Sequence, residues 1–154
     1  REKHGGVPAF PSAKMPNGLA VLTLSQLERL SSFNVRRQKI AEAYERELGK
    51  LSEDDLVLPE VPSESKPYYL RYTIQTNKAR QIFNEAKKRK ILLGDWYEVV
   101  APKDTDLSVI KYQNGTCPSA EFVAQRVLNL PTYPSMTDED VKIVIGLVKS
   151  FFNK

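Results

Sequence analysis

The sequence predicts an α+β domain, and three features carry that prediction. Residues 16–49 repeat apolar side chains at helical steps, residues 68–76 alternate aromatic or β-branched positions with polar ones, and residues 137–152 begin with a helix-start signal and continue as an apolar stripe. Helices and strands do not alternate regularly along the chain. The pattern therefore favours a small, mostly antiparallel sheet after a long N-terminal helix, with further helices packed on one face. At 154 residues there is room for one well-packed domain rather than two.

The elements follow in order. Residues 1–18 are rich in Gly, Pro and Ser, and read as an irregular arm that crosses a domain or subunit boundary. Pro16 suits the first turn of the long helix, where its missing N–H costs nothing, and Gly49 suits its end. Leu27, Leu30, Phe33, Ile40, Tyr44 and Leu48 form a stripe, while Leu19, Ala20, Val21, Leu22 and Leu24 are apolar on nearly every side. A helix with such a gradient is buried at its first end and surface-lying at its second, so its first end expects more protein around it.

Leu56, Val57, Leu58 and Pro59 form an extended piece, and residues 68–76 the best strand. Thr76 or Asn77 caps a helix running to about Lys90, with Ala79, Ile82, Phe83 and Ala86 as its inner face. Ile91, Leu92 and Leu93 extend until Gly94, and residues 94–116 are loop-rich. A short helix is expected at 118–127, started by Pro118, then an extended stretch from Leu128 to Pro131. In the last helix Thr137 is the N-cap and Asp140 the third helical residue, with Met136 and Val141 as a hydrophobic staple. Val141, Val144, Ile145, Val148, Phe151 and Phe152 line its inner face.

Composition removes several function classes. Hydrophobic residues make up 41% and charged residues 27%, with no apolar run near the roughly 20 residues of a membrane helix. One Cys and one His give neither an internal disulfide nor a self-contained zinc site, which points to a reducing, cytoplasmic setting and to no metal. A catalytic triad would depend on His4, in a terminal stretch expected to fray. The net charge of +4 is spread over 23 basic and 19 acidic residues. Its densest run, Lys87, Lys88, Arg89 and Lys90, suits a helix C-terminus, so neither a nucleic-acid nor a membrane partner is expected.

Three stretches carry a family resemblance. The first runs from Lys14-Met15-Pro16-Asn17-Gly18-Leu19-Ala20 through Gln26-Leu27-Glu28-Arg29-Leu30 to Arg36-Arg37, Ile40-Ala41 and Tyr44. The second is Gly94-Asp95-Trp96-Tyr97. The third is Cys117-Pro118-Ser119-Ala120-Glu121, then Leu128-Asn129-Leu130-Pro131-Thr132-Tyr133-Pro134 and Met136-Thr137-Asp138-Glu139-Asp140-Val141. In order and spacing these resemble the C-terminal part of the DegT/StrS-type nucleotide-sugar aminotransferases, including their Pro-x-Ala-Glu, Leu-Pro-x-His-Pro and Thr-Asp-Glu-Asp-Val elements. The likeness covers nearly the whole chain; each piece alone is weakly specific.

The resemblance implies the small C-terminal domain of a type I fold PLP enzyme, with residues 1–18 an arm from the large domain, 16–49 a connecting helix and 50–154 the small domain. It implies pyridoxal 5'-phosphate held mainly by a large domain, glutamate or glutamine as donor, a nucleotide-linked keto sugar as acceptor, and a homodimer that shares two active sites. The family's cofactor lysine lies upstream of these motifs, so no catalytic residue is assigned here. The chain is expected to be a truncated piece, inactive alone. At the family's Asn-x-Arg positions stand Ser12 and Lys14, candidates for contacting the neighbour's cofactor phosphate; Lys14 offers a point charge without the arginine fork. Asp95, Trp96 and Tyr97 are the substrate-binding candidates, an aromatic pair beside an acid, although Trp96 would serve equally as a plug for the domain's core. Tyr133 stands where the family often has His. Two alternatives remain: a PLP-dependent sugar dehydratase of the same fold, and a non-catalytic module whose apolar helix end docks on a partner.

Overall fold

A computed structural model describes residues 14–51, 55–97, 99–101 and 106–152. The order of elements is α1 (Asn17–Leu48), β1 (Arg71–Gln75), α2 (Ala79–Lys88), α3 (Leu107–Ile110), α4 (Pro118–Ala124), β2 (Val127–Pro131) and α5 (Asp138–Lys149). It is the α+β arrangement expected: a long helix, a small antiparallel sheet, and helices packed on it.

The sheet pairs β1 with β2 antiparallel, Tyr72 opposite Leu130 and Ile74 opposite Leu128. Single bridges extend it on both sides, Val57 to Gln75 and Gly94 to Asn129, also antiparallel. Because side chains alternate across a strand, Tyr72, Ile74, Leu128 and Leu130 share one face and Arg71, Thr73 and Asn129 the other. The first set is almost wholly buried and forms the core with Ile40, Ala41, Tyr44 and Leu48 of α1, Ala79, Ile82 and Ala86 of α2, and Val141, Val144, Ile145, Leu147 and Val148 of α5.

Each helix buries the face its spacing dictates. In α5 the Thr137 hydroxyl accepts from the Asp140 N–H while the Asp140 carboxylate accepts from the Thr137 N–H, a complete capping box. Met136 and Val141 beside it are buried, as a staple requires. Helix α1 packs against α5, fastened at two levels. Arg36 donates to the Asp138 carboxylate at 2.7 Å and to the Met136 carbonyl, and in the last turn of α1 Glu47 meets Lys149 at 2.6 Å.

The elements depart from the sequence expectations at their edges. The first strand is Arg71–Gln75 rather than 68–76. Its partner ends at Pro131, which has no N–H to donate, and the Thr132 hydroxyl instead caps the carbonyls of Tyr69 and Leu70. Helix α4 stops at Ala124 rather than 127, because Val127 is drawn into β2 opposite Gln75. Neither expected cap starts α2: Lys78 holds the N-cap place without a side-chain cap bond, Thr76 accepts from the Lys78 N–H, and Asn77 accepts from Arg126. One helical turn, α3, lies in the expected loop region, started by Asp106, whose side chain accepts from the Ser108 N–H.

Burial along α1 runs opposite to the expectation within this chain: its second end enters the core and its first end is exposed. Nothing before Ile40 is fully buried, and Leu19, Val21, Leu22, Leu24, Leu27 and Leu30 are exposed. Leu27 and Leu30, expected on the amphipathic stripe, are therefore about half exposed and outside the core.

Candidate functional site

The helix-free face of the sheet carries the candidate substrate loop. Gly94 makes a reciprocal pair of backbone hydrogen bonds with Asn129, at 2.9 and 2.8 Å. A Cβ at position 94 would lie 2.8 Å from Arg71 Nη1 and 3.2 Å from the Asn129 Cβ, so a side chain there would push the end of Arg71 aside and press on Asn129. Immediately after it, the Asn129 side-chain amide donates to the Trp96 carbonyl at 2.7 Å, while its Oδ1 accepts from Thr73 Oγ1 at 2.8 Å. Asn129 is 4% exposed. Its amide is thus satisfied on both sides and fixes the loop to the centre of the sheet.

The rings that follow point outward. Trp96 is 56% exposed and Tyr97 75%, with centroids 6.0 Å apart and planes nearly parallel at 16°. The Arg71 guanidinium sits over the Trp96 ring, 4.4 Å from its centroid, well within cation–π range. Trp96 is therefore not a core plug; the core is closed by Tyr44, Tyr72 and the aliphatic set above. Asp95 is half-buried between Gly94 and Trp96. The structure brings Asp95, Trp96 and Tyr97 together at the edge of one sheet face.

It does not bring Lys14 to them. Lys14 is exposed beyond the free end of α1, roughly 30 Å along the helix axis from Arg36, where α1 first joins α5. Ser12 lies outside the described residues. Tyr133 is half-exposed after β2; Tyr44 beside it has its pKa pushed up, first by burial and then by Tyr133.

Two residues of this face were not singled out from the sequence, Arg71 and Asn129. Their signals were present: Arg71 takes an outward place in an alternating strand, and Asn129 is the one polar residue between the core positions Leu128 and Leu130.

The third motif proves to be an organiser of structure. The Glu121 carboxylate accepts from the Tyr112 hydroxyl and the Gly115 N–H, both at 2.8 Å, and from the Cys117 N–H at 3.3 Å. The Tyr112 bond, followed by the two backbone donors, holds its pKa below the ordinary carboxylate value. Glutamate in this place closes the 112–117 turn onto the start of α4.

Away from this face, a concavity of about 1070 Å³ runs between the last turns of α1 and residues 56–69. It is lined by Glu42, Glu45 and Glu60 against the single cation Arg46, and the Tyr72 hydroxyl donates to Glu45 at its floor. Burial, then that hydrogen bond and the Glu45 charge, drive the Tyr72 pKa upward, so its hydroxyl stays a donor. A groove of this sign does not suit a phosphate. Among the described residues no group of three or more His, Cys, Asp or Glu could hold a metal ion, and no helix is long and apolar enough to cross a membrane.

Residues 8–149 match the model of the DegT/DnrJ/EryC1/StrS aminotransferase family, and the chain belongs to that family. It is 27% identical over 131 residues to a UDP-N-acetyl-3-dehydro-alpha-D-glucosamine 3-aminotransferase of Acidithiobacillus ferrooxidans, covering 84% of this chain and 34% of that protein. It is 28% identical over 144 residues to the GDP-perosamine synthase of Escherichia coli O157:H7, covering 91% and 37%. Among solved structures it resembles DesV of S. venezuelae in complex with a ketimine intermediate, with a TM-score of 0.75 and 26% identity over 88% of this chain and 36% of that one. The chain spans about a third of the length of the relatives it matches.

Proposed function

We propose that this chain is the C-terminal, site-closing part of a PLP-dependent aminotransferase that moves the amino group of glutamate or glutamine onto a nucleotide-linked keto sugar. The observation that carries this reading is the pair of open rings, Trp96 and Tyr97, on a loop pinned to the sheet by Gly94 and Asn129. Anchored, outward-facing aromatic rings beside an acid fit the apolar faces and hydroxyls of a sugar. The family and the printed activities of its relatives support the reaction class.

The cofactor fits this chain only at its margin. The described residues form no basic recess for a phosphate, and the large groove is acidic. Lys14, exposed and without a partner among the described residues, is placed to offer one cation to a phosphate held by another body. Ser12 would add a hydroxyl there. When bound, PLP supplies an electron sink for the carbanion that forms as the donor loses its α-proton. This chain's share is to hold the sugar with Asp95, Trp96 and Tyr97 and to exclude water, in a homodimer whose neighbouring arm reaches the phosphate. The exposed apolar half of α1 then lies against the rest of a full-length enzyme, in the cytoplasm.

The test uses a protein in which this chain is joined to the remaining two-thirds of its relatives' length. Trp96→Ala should raise KM for the keto sugar about tenfold, equivalent to ~1.4 kcal/mol of ring contact, and leave the half-reaction with glutamate unchanged. Equal loss in both half-reactions would argue against a sugar platform.

A further inference from the structure

On the proposed reading of this face as a sugar-nucleotide site, we infer that Arg71 is its specificity-determining anion anchor, gripping the diphosphate of the ligand while Trp96 and Tyr97 pack against an adjoining ring. Three observations place it there. The guanidinium stands on the helix-free sheet face, 4.4 Å over the Trp96 ring, and is exposed. No carboxylate pairs with it among the described residues, whereas Arg36 and Arg89 on the helices are each bonded to an acid. The glycine at position 94 leaves the space that the end of this side chain occupies, 2.8 Å from where a Cβ would be.

The five N–H groups of a guanidinium form a fork that matches two anionic oxygens at once. A lone carboxylate would satisfy that fork equally well, so the nearby rings decide. Tyr97 is 75% exposed and nearly parallel to Trp96, a platform that an amino acid such as glutamate cannot use and a nucleotide or sugar ring can. The ligand class is therefore a nucleoside diphosphate with or without its sugar, read at the anion by Arg71.

Trp96 is the chain's single tryptophan, so its emission reports on this place alone. UDP and GDP should each perturb it saturably in the 154-residue chain, with an affinity that weakens as salt rises. Arg71→Leu should weaken UDP binding at least about tenfold, measured by calorimetry because the substitution also alters the resting emission. Gly94→Ala, which displaces the flexible end of Arg71 and shifts the Asn129 Cβ by a few tenths of an ångström, should give a smaller loss in a chain whose circular dichroism is unchanged. Inorganic pyrophosphate should compete more weakly than UDP, and glutamate not at all. The inference is overturned if UDP and GDP leave the parent chain unperturbed, if Arg71→Leu binds UDP as the parent does, or if pyrophosphate or glutamate competes as well as UDP. Amino transfer is assayed separately in the cofactor-bearing protein. Arg71-dependent UDP binding with no transfer refutes the aminotransferase reading and leaves this assignment standing, and transfer with Arg71-independent binding does the reverse.

Discussion

Asn129 shows how a single side chain couples core and surface. Its neighbours Leu128 and Leu130 point into the helix-packed core, while its own amide faces the other way and holds the Trp96 carbonyl and the Thr73 hydroxyl. Replacing it with Leu keeps the volume and leaves both partners unsatisfied. Asn129→Leu is expected to cost about 1–2 kcal/mol in chemical denaturation and to free the loop, seen as a red-shifted, more readily quenched Trp96 emission. Unchanged emission would mean that the loop is held without Asn129. At this scale the sequence was partly legible. Asp95, Trp96 and Tyr97 stood out through the family resemblance and as an aromatic pair beside an acid, although a core role for Trp96 fitted equally well. The alternation of the strand placed Arg71 on its outer face. That Arg71 meets Trp96 could not be read, because the meeting depends on β1 lying next to β2 and on Gly94 bridging to β2, contacts between residues distant in sequence.

At the scale of elements, helices announced themselves and strand edges did not. The capping box of α5 is local, set by Thr137 and Asp140 three residues apart, so its start was legible to the residue. Thr137→Ala is expected to lower stability by about 1 kcal/mol without changing the fold, read as a lower denaturation midpoint at constant slope. The ends of β1 and α4 were misjudged because they are fixed by a partner: Pro131 ends the ladder, and Gln75 recruits Val127. The tie between α1 and α5 makes a pH prediction. The Lys149 ammonium, through its hydrogen bond and its charge, and then Lys50, lower the Glu47 pKa from 4.5 to about 2. A depressed carboxylate pKa contributes stability that is fully present above 4.5 and is lost as pH falls toward 2. Glu47→Gln should therefore melt below the parent at neutral pH, with the gap closing over that acid range. A gap that stays constant with pH would show that the ion pair is not what joins the two helices there.

For the whole molecule, the unequal burial along α1 is the largest feature. Its second half is welded to the core through Ile40, Tyr44 and Leu48, and its first half presents Leu19, Val21, Leu22 and Leu24 to solvent. An exposed apolar surface of this kind drives association. The isolated chain is expected to self-associate in sedimentation as its concentration rises, and Leu22→Glu with Leu24→Glu to suppress this without altering the melting temperature, because neither side chain touches the core. A monomer at all concentrations would contradict the idea that this half of α1 is made to be covered. The apolar gradient was legible from composition along one helix, whereas the identity of its cover was not, since none of the described residues buries that end. The central claim is that this chain closes a sugar-nucleotide aminotransferase site without carrying its chemistry. Its most direct test is mass-spectrometric detection of amino sugar from glutamate, PLP and a UDP-linked keto sugar. The reaction is run with the chain alone and with the chain joined to the remaining two-thirds of its relatives' length. The account predicts product only from the joined protein, with one 2-oxoglutarate formed per amino sugar. Product from the chain alone, or none from a folded, PLP-loaded joined protein, would contradict it.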